Sequence, residues 1–228
     1  MSTYTRYAVY YLPPEGSELA TFGAAWLGWD NATGQIVDHP VLDGIDVSAI
    51  TETPRKYGFH GTLKPPFRLA EGTHADDLAD AVATLAADIT PFETPPLILK
   101  TLGFFLALVP SGRCVPLADM AMRCVTKLDH FRTAATEAEL AKRRTADLSA
   151  RQEAYLTEWG YPYVLDEFRF HLTLSGRLDA EGLATACQVL TPLTQRLCQD
   201  PMPVEDLALL GEIDGGRFHL IHRIPLTG

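Results

Sequence analysis

The sequence contains the five-residue pattern F-H-x-T-L twice, at residues 59–63 and 170–174. In an extended strand, side chains two residues apart point to the same face. The histidine and the threonine of each copy therefore share one face, while phenylalanine and leucine occupy the opposite, buried face. The four predicted catalytic residues are His60, Thr62, His171 and Thr173.

Two histidines beside two hydroxyls suit chemistry at a phosphate. Opening a cyclic phosphate requires a base that deprotonates water and an acid that protonates the departing oxygen. Histidine serves in either role near neutral pH, because its unperturbed pKa is about 6.5. The threonine hydroxyls can donate hydrogen bonds to the non-bridging oxygens. This scheme needs neither a metal nor a cofactor, so none is predicted, and the sequence leaves open which histidine is the base.

A single H-x-T can occur by chance in a chain rich in threonine. Here both copies carry the same flanking phenylalanine and leucine, and a helical pattern follows each of them. The matched pair favours a functional site over two structural histidines.

Two cations adjacent to the motifs are candidates for binding substrate. Lys64 lies two residues after Thr62 and so shares the predicted face of the first motif. Arg169 lies two residues before His171 and so shares the predicted face of the second motif. Either side chain is placed to hold a second phosphate of the substrate. The alternative, a solvated or salt-bridged strand end, carries equal weight for each of them.

Further candidates lie outside the motifs. Arg6 and Tyr10 share one face of the first predicted strand and would line the same cleft if that strand adjoins the motifs. A structural role is favoured for this pair. Arg143 and Arg144 lie in a helical segment and are interpreted as an exposed helix face.

Composition and charge limit the kinds of molecule that this chain is expected to bind. The 228 residues are 46% hydrophobic, and 29 acidic against 19 basic residues give a net charge of −10. Proteins that bind long nucleic acid usually show a basic excess, so a small molecule is the expected substrate. No apolar run reaches membrane-spanning length and no signal-peptide pattern opens the chain, which predicts a cytoplasmic protein without membrane contact. The four cysteines form no CxxC pair and are expected to be reduced. The oligomeric state is left open.

Strand and helix patterns alternate along the chain without a linker. A long helical pattern over residues 117–159 is expected to break near Thr133 and Ser149. Residues 168–175 are predicted to form a strand. The turn signal Asp214-Gly215-Gly216 predicts a hairpin between the last two strands.

The paired H-x-T motifs resemble the signature of the two-histidine (2H) phosphoesterase superfamily, which includes 2′,3′-cyclic phosphodiesterases and 2′-5′ RNA ligase-like proteins. Longer strings resemble its branch named for phosphonate metabolism, and they lie at residues 6–14, 24–30, 56–72, 128–144 and 156–178. This resemblance implies an α+β fold with two pseudo-symmetric lobes of antiparallel sheet, outer helices and a central cleft carrying both motifs. Residues 1–228 would then form a single bilobal domain.

The same resemblance implies a metal-independent phosphoric diester hydrolase that acts on a small cyclic phosphate. It suggests 5-phosphoribosyl 1,2-cyclic phosphate as a substrate. Two alternatives stay open. One is an enzyme that processes 2′,3′-cyclic phosphate or 2′-5′ ends of short RNA, and the other is a non-catalytic protein that binds a phosphate ligand on the same fold.

Overall fold

The structure is a computed structural model that describes residues 4–213 and 216–228, in which helices and strands alternate along the chain. The α-helices are α1 (Glu18–Leu27), α2 (Val47–Arg55), α3 (Ala75–Ala87), α4 (Val115–Lys127), α5 (Glu137–Arg143), α6 (Ala150–Trp159) and α7 (Ala180–Leu197). The strands are β1 (Arg6–Tyr11), β2 (Trp29–Asp30), β3 (Gln35–Ile36), β4 (Gly61–Phe67), β5 (Phe92–Thr94), β6 (Leu97–Leu102), β7 (Phe105–Pro110), β8 (Leu172–Thr173), β9 (Met202–Val204), β10 (Asp206–Ile213) and β11 (Arg217–Pro225).

Seven of these strands form one sheet in the order β11-β10-β1-β4-β8-β7-β6. The neighbouring strands of this sheet pair antiparallel. The strands that begin directly after the two motif histidines, β4 and β8, are neighbours near its centre. The prediction of mixed helices and antiparallel sheet is thus confirmed, whereas the symmetry of two lobes and the single-domain boundary stay predictions.

The two faces of the sheet are packed differently. One face and the helices form a large apolar core, which includes the motif-flanking residues Phe59, Leu63, Phe170, Leu172 and Leu174. The other face carries a smaller cluster around Tyr10 and Phe218. Because side chains alternate along a strand, a motif whose apolar residues face the helices must turn its histidine and threonine to this second face.

The helical segment between the motifs breaks at both predicted places, since Thr133 lies between α4 and α5 and Ser149 lies between α5 and α6. Helix α4 ends at Lys127, and a 3-10 turn at Asp129–Phe131 follows it. The second predicted break is confirmed, since the side chain of Ser149 caps the start of α6 by accepting a hydrogen bond from the Gln152 backbone N–H. A serine hydroxyl at this position satisfies a backbone donor that has no partner within the helix.

The predicted strand over residues 168–175 is shorter in the structure, where only Leu172–Thr173 pairs as β8. The chain bends on either side, with a 3-10 turn at Leu165–Glu167 before it. The predicted hairpin is confirmed by the pairing of β10 with β11, in which Ile213 lies opposite Arg217. Two of its turn residues, 214 and 215, lie outside the described residues.

Within the described residues, no helix is both long and apolar enough to span a membrane. The four cysteines all fall within those residues and are free thiols, as predicted.

Candidate active site

The pairing of β4 with β8 brings the two motifs side by side. Gly61 lies opposite Leu172, so the middle residues of the two motifs face each other across the strands. Antiparallel register then sets the histidine of each motif across from the threonine of the other. Directly opposite side chains have Cβ atoms about 5 Å apart, and diagonal ones about 7–8 Å. All four motif residues are half-buried on one face of the sheet, with the two imidazoles on the diagonal.

Both imidazoles are oriented by the same kind of backbone hydrogen bond. Nδ1 of His60 lies 2.9 Å from the Gly58 carbonyl oxygen, and Nδ1 of His171 lies 2.8 Å from the Arg169 carbonyl oxygen. A carbonyl oxygen only accepts, so Nδ1 carries the proton of each neutral ring and Nε2 is left as an acceptor. The Thr62 hydroxyl occupies one of these acceptors, with Oγ1 at 3.1 Å from Nε2 of His60. Each motif therefore presents a basic ring nitrogen on the shared face.

Burial keeps both imidazole rings neutral at pH 7 in the free protein. It lowers the pKa of His60 to about 4, against a smaller opposing effect of the Gly58 carbonyl, and the nearby His171 lowers it further. Burial also lowers the pKa of His171, and the Arg169 carbonyl opposes that shift. An anionic phosphate between the rings would raise both pKa values, because a negative charge favours the imidazolium.

Tyr10 packs directly against His60. Their rings are stacked, with centroids 3.8 Å apart and planes inclined by 25°. The register of β1 with β4 causes this contact, because it sets Tyr10 opposite Thr62. Tyr10 therefore lies on the face of the sheet that carries the motif histidines and threonines, which we call the motif face. Tyr10 is only 1% exposed, so it forms a fixed wall that holds the imidazole in place.

Lys64 does not share the face of the first motif, and that prediction is wrong. Between Tyr10, which faces Thr62, and Val9, which faces Lys64, strand β4 contains one extra residue. Such a bulge reverses the alternation beyond it. Lys64 therefore points to the helix side, where Nζ lies 3.1 Å from the Val125 carbonyl oxygen and 3.3 Å from Oδ1 of Asp129.

Arg169 and Arg6 lie in two different cavities. Arg169 is exposed and lines a cavity of about 540 Å³ together with Thr62 and His171. Arg6 shares the face of Tyr10, as predicted, but it forms a two-point ion pair with Glu212, with both N–O distances 2.6 Å. It lines a separate cavity of about 580 Å³.

Sequence reasoning missed the aromatic residues around the motifs. The Tyr57 ring lies 6.0 Å from that of His60, and the Phe105 ring lies 5.7 Å from that of His171. Both line a third cavity, of about 450 Å³, next to Thr173. Tyr57 stands three residues before His60, a proximity that hinted at its position. Phe105 reaches the site only through the pairing of β7 with β8, which the sequence does not reveal.

Among the residues that the structure describes, no group of three or more His, Cys, Asp or Glu side chains is arranged to hold a metal ion. Thr62 and His171 line the 540 Å³ cavity and Thr173 lines the 450 Å³ cavity, whereas His60 is stacked on Tyr10 and lines neither. Two imidazoles with hydroxyl donors are groups that can move one proton onto a ligand and another off it.

Comparison with known proteins identifies curated relatives. The chain is 37% identical over 232 residues to a protein of Janthinobacterium sp. (strain Marseille) named ribose 1,5-bisphosphate phosphokinase PhnN, and that match covers 98% of this chain. It is 35% identical over 221 residues, or 96% of its length, to a protein of the same name from Laribacter hongkongensis (strain HLHK9). The chain spans about half of each relative, 51% in both cases.

A solved structure described as a phosphoesterase covers 99% of this chain and is itself covered completely, with 14% sequence identity and a TM-score of 0.45. A family described as a protein of unknown function (DUF1045) matches residues 62–219. This range begins at Thr62, inside the first motif, and contains the whole of the second motif. That match spans well over half of the chain. The chain belongs to the DUF1045 family.

Proposed function

We propose that the chain is a metal-independent cyclic phosphodiesterase that opens a small cyclic phosphate by acid–base catalysis with His60 and His171. One observation carries the proposal. The two H-x-T motifs meet where β4 pairs antiparallel with β8, and both imidazoles keep Nδ1 on a backbone carbonyl, which leaves Nε2 as the acceptor, bonded in His60 to the Thr62 hydroxyl. A purely structural pair of histidines has no need of the same ring orientation at both motifs, each beside a threonine hydroxyl.

In this mechanism His60 is the base, because burial holds its pKa at about 4 and keeps the ring neutral. Its Nε2 removes a proton from water, and the water oxygen forms a bond to phosphorus while the ring P–O bond breaks. His171, protonated once the anionic substrate is bound, gives its proton to the departing oxygen. The product is an acyclic phosphate monoester. For this step the Thr62 hydroxyl turns from Nε2 of His60 to the substrate, and Thr62 and Thr173 donate hydrogen bonds to the non-bridging oxygens as negative charge builds up on them.

The relatives' name supports a ribose phosphate as substrate. Opening 5-phosphoribosyl 1,2-cyclic phosphate at the bond between phosphorus and O2 yields ribose 1,5-bisphosphate, the compound in that name. The chain contains no GxxxxGK[ST] loop of the kind that binds ATP phosphates, so we assign it no kinase activity. We propose that it supplies a sugar bisphosphate of this kind, in phosphonate metabolism.

A second candidate is the processing of 2′,3′-cyclic phosphate or 2′-5′ ends of a nucleotide or short RNA. It is favoured by the aromatic lining of the cavity next to Thr173, where the guanidinium of Arg177 lies 3.6 Å from the centre of the Phe104 ring. Bases stack on such surfaces regardless of sequence. The net charge of −10 makes a mononucleotide or a very short RNA the better fit.

Substitution of the histidines tests the mechanism. His60→Ala and His171→Ala should each lower kcat on a cyclic phosphate substrate by roughly 10²- to 10⁴-fold, because each removes one proton transfer. Since the residues act as a unit, the double variant should be scarcely slower than the slower single variant. Turnover is measured on a panel of cyclic phosphoribose, cyclic nucleotides and short RNA, both with and without chelator.

The thermal midpoint is measured on the same preparations. Variants that unfold readily yet keep full turnover per folded molecule would make the histidines structural and refute the mechanism. Binding of these compounds by the wild-type protein without any turnover would identify a ligand-binding protein instead. Loss of wild-type turnover in chelator, restored by a divalent ion, would contradict the metal-independent scheme.

A further inference from the structure

The 580 Å³ cavity next to the motif face is strongly cationic, although the chain as a whole is acidic. Six basic side chains and one carboxylate, Glu139, line it within the described part of the chain. The basic residues are Arg6, Lys56, Arg68, Arg132, Lys142 and Arg143. They come from five separate stretches of sequence, so only the fold gathers them.

Three of the arginines are held in place by carboxylates. Arg6 pairs with Glu212, and Arg68 makes a two-point contact with Glu139. Arg132 is held by Asp129 and also donates to a backbone carbonyl. A guanidinium has five N–H donors, and these contacts use two or three of them. Each arginine therefore keeps donors for a ligand, in an orientation fixed before the ligand arrives.

Gly160 allows one of these donors to approach the wall of the cavity. A Cβ atom at Gly160 would lie 3.0 Å from Nη1 of Arg132, the guanidinium nitrogen that makes none of the contacts above. The backbone of Gly160 also has a φ of 71°, which side-chain-bearing residues rarely adopt.

The other three cations give the cavity its excess of positive charge. Among the residues described here, no carboxylate lies within 4.0 Å of the charged groups of Lys56, Lys142 or Arg143. Arg143 packs over the ring of Tyr161, with Cζ 4.5 Å from its centre. The neighbouring Arg144 differs, because it pairs with Glu153 and does not line the cavity.

The cationic cavity adjoins the motifs. Tyr57 lines it and also the cavity next to Thr173, and the Tyr57 ring is 6.0 Å from that of His60. Arg6 stands four residues before Tyr10 on β1, which corresponds to about 13 Å along the strand. Tyr10 stacks on His60, and Arg6 points to the same face of the sheet from the same strand, so both sites lie along one face of β1.

We propose that this cationic cavity binds a second, acyclic phosphate group of the substrate whose cyclic phosphate lies between His60 and His171. The inference rests on the proposed function and names the class of its substrate. Arginine forks and ammonium groups match the oxygens of a phosphate in charge and geometry. The second phosphate is either a terminal monoester on the same sugar or the next phosphodiester of a short oligonucleotide, and the test separates these two sources.

Direct binding tests the cavity independently of catalysis. Ribose 5-phosphate and ribose are titrated calorimetrically into the wild-type protein, Arg143→Gln and the matched control Arg144→Gln. The wild type should bind ribose 5-phosphate more tightly than ribose. Arg143→Gln should weaken binding of the phosphorylated sugar roughly ten-fold, as expected for a lost charge-assisted contact. Arg144→Gln removes the same charge one residue away and should bind like the wild type.

Turnover then identifies the source of the phosphate. Cytidine 2′,3′-cyclic phosphate is compared with its 5′-phosphorylated form and with a dinucleotide that ends in a cyclic phosphate. In the wild type kcat/KM should be roughly ten-fold higher for the 5′-phosphorylated form than for the parent, and Arg143→Gln should abolish this preference. A preference for the dinucleotide that disappears in Arg143→Gln would support the inference with an oligonucleotide as the source.

Two results separate failure of this inference from failure of the proposed function. Equal binding of ribose 5-phosphate by Arg143→Gln and Arg144→Gln would overturn the inference, whatever the enzyme hydrolyses. Absence of turnover on every cyclic phosphate, together with weaker binding in Arg143→Gln alone, would refute the proposed function and leave the cavity as a phosphate-binding site.

Discussion

At the scale of single residues, the site depends on two histidines whose environments differ in detail. Both rings direct Nδ1 to the carbonyl two residues upstream, so both present Nε2. His60 is in addition stacked under Tyr10 and bonded to Thr62, whereas His171 borders an open cavity. The ring that stays neutral suits a base, and the ring that borders the cavity suits an acid that protonates a departing oxygen.

The pH dependence of kcat/KM follows from these environments. Activity should rise as the pH passes about 4, where His60 loses its proton and becomes a base. It should fall again as His171 loses its proton, below the ordinary value of about 6.5 because burial lowers the pKa of this ring. The optimum is therefore expected between about pH 4 and 6.5, with apparent pKa values that belong to the pair. A profile that is flat from pH 4 to 9, or that peaks above pH 8, would contradict this assignment.

At the scale of elements, the site depends on how closely β4 approaches the chain around β8. Gly61 separates the first histidine from its threonine, and a Cβ atom there would lie 2.2 Å from the nearest ring atom of Phe170. Gly61→Ala should therefore push the two motif strands apart. The expected cost is about 1–3 kcal/mol of unfolding free energy, together with a clear loss of kcat. Chemical denaturation and turnover, measured on the same preparation, check both effects.

A second substitution distinguishes crowding from other causes. Phe170→Leu in the Gly61→Ala background should restore part of the lost turnover, because it removes the ring that the new methyl group meets. Gly112→Ala is the matched control, since its Cβ would meet its nearest neighbour at 3.7 Å. Its effect should stay within about 0.5 kcal/mol. Wild-type stability and turnover in Gly61→Ala would show that the spacing of the motif strands is not limiting.

At the scale of the whole molecule, the two halves of the chain share one sheet. The order β11-β10-β1-β4-β8-β7-β6 sets the first strand of the chain between β10 and β4, and β8 between β4 and β7. Each half therefore has strands whose hydrogen-bond partners belong to the other half. Such interleaving couples the stability of the two halves.

Unfolding should accordingly be a single cooperative transition. Far-UV circular dichroism and tryptophan fluorescence should give coincident denaturation curves, as a two-state transition requires. The fragments 1–112 and 113–228, divided between β7 and α4, should not fold when expressed separately. Two resolved transitions, or a fragment that folds alone, would contradict the prediction that residues 1–228 form one domain.

Local sequence determined the parts of this protein that depend on only a few neighbouring residues. The repeated F-H-x-T-L pattern predicted which side chains share a face, because the alternation of a strand is a property of the backbone itself. Ser149 marked the start of α6 for a similar reason, since a cap acts within one helical turn. The shared orientation of His60 with Thr62, and of His171 with Thr173, belongs to this part.

Tertiary structure decided everything that depends on which segments become neighbours. Lys64 turned to the helix side because a bulge in β4 accommodates the register with β1, and that register is absent from the local pattern. The cationic cavity combines side chains from β1, α5 and the segments beside α2, β4 and α4. No spacing of residues along the sequence therefore predicts it. Pairing of β4 with β8 brings together two motifs about 110 residues apart in sequence. Strand pairing and packing link residues far apart in the chain, which is why the alternation predicted the motif face but not the cavity beside it.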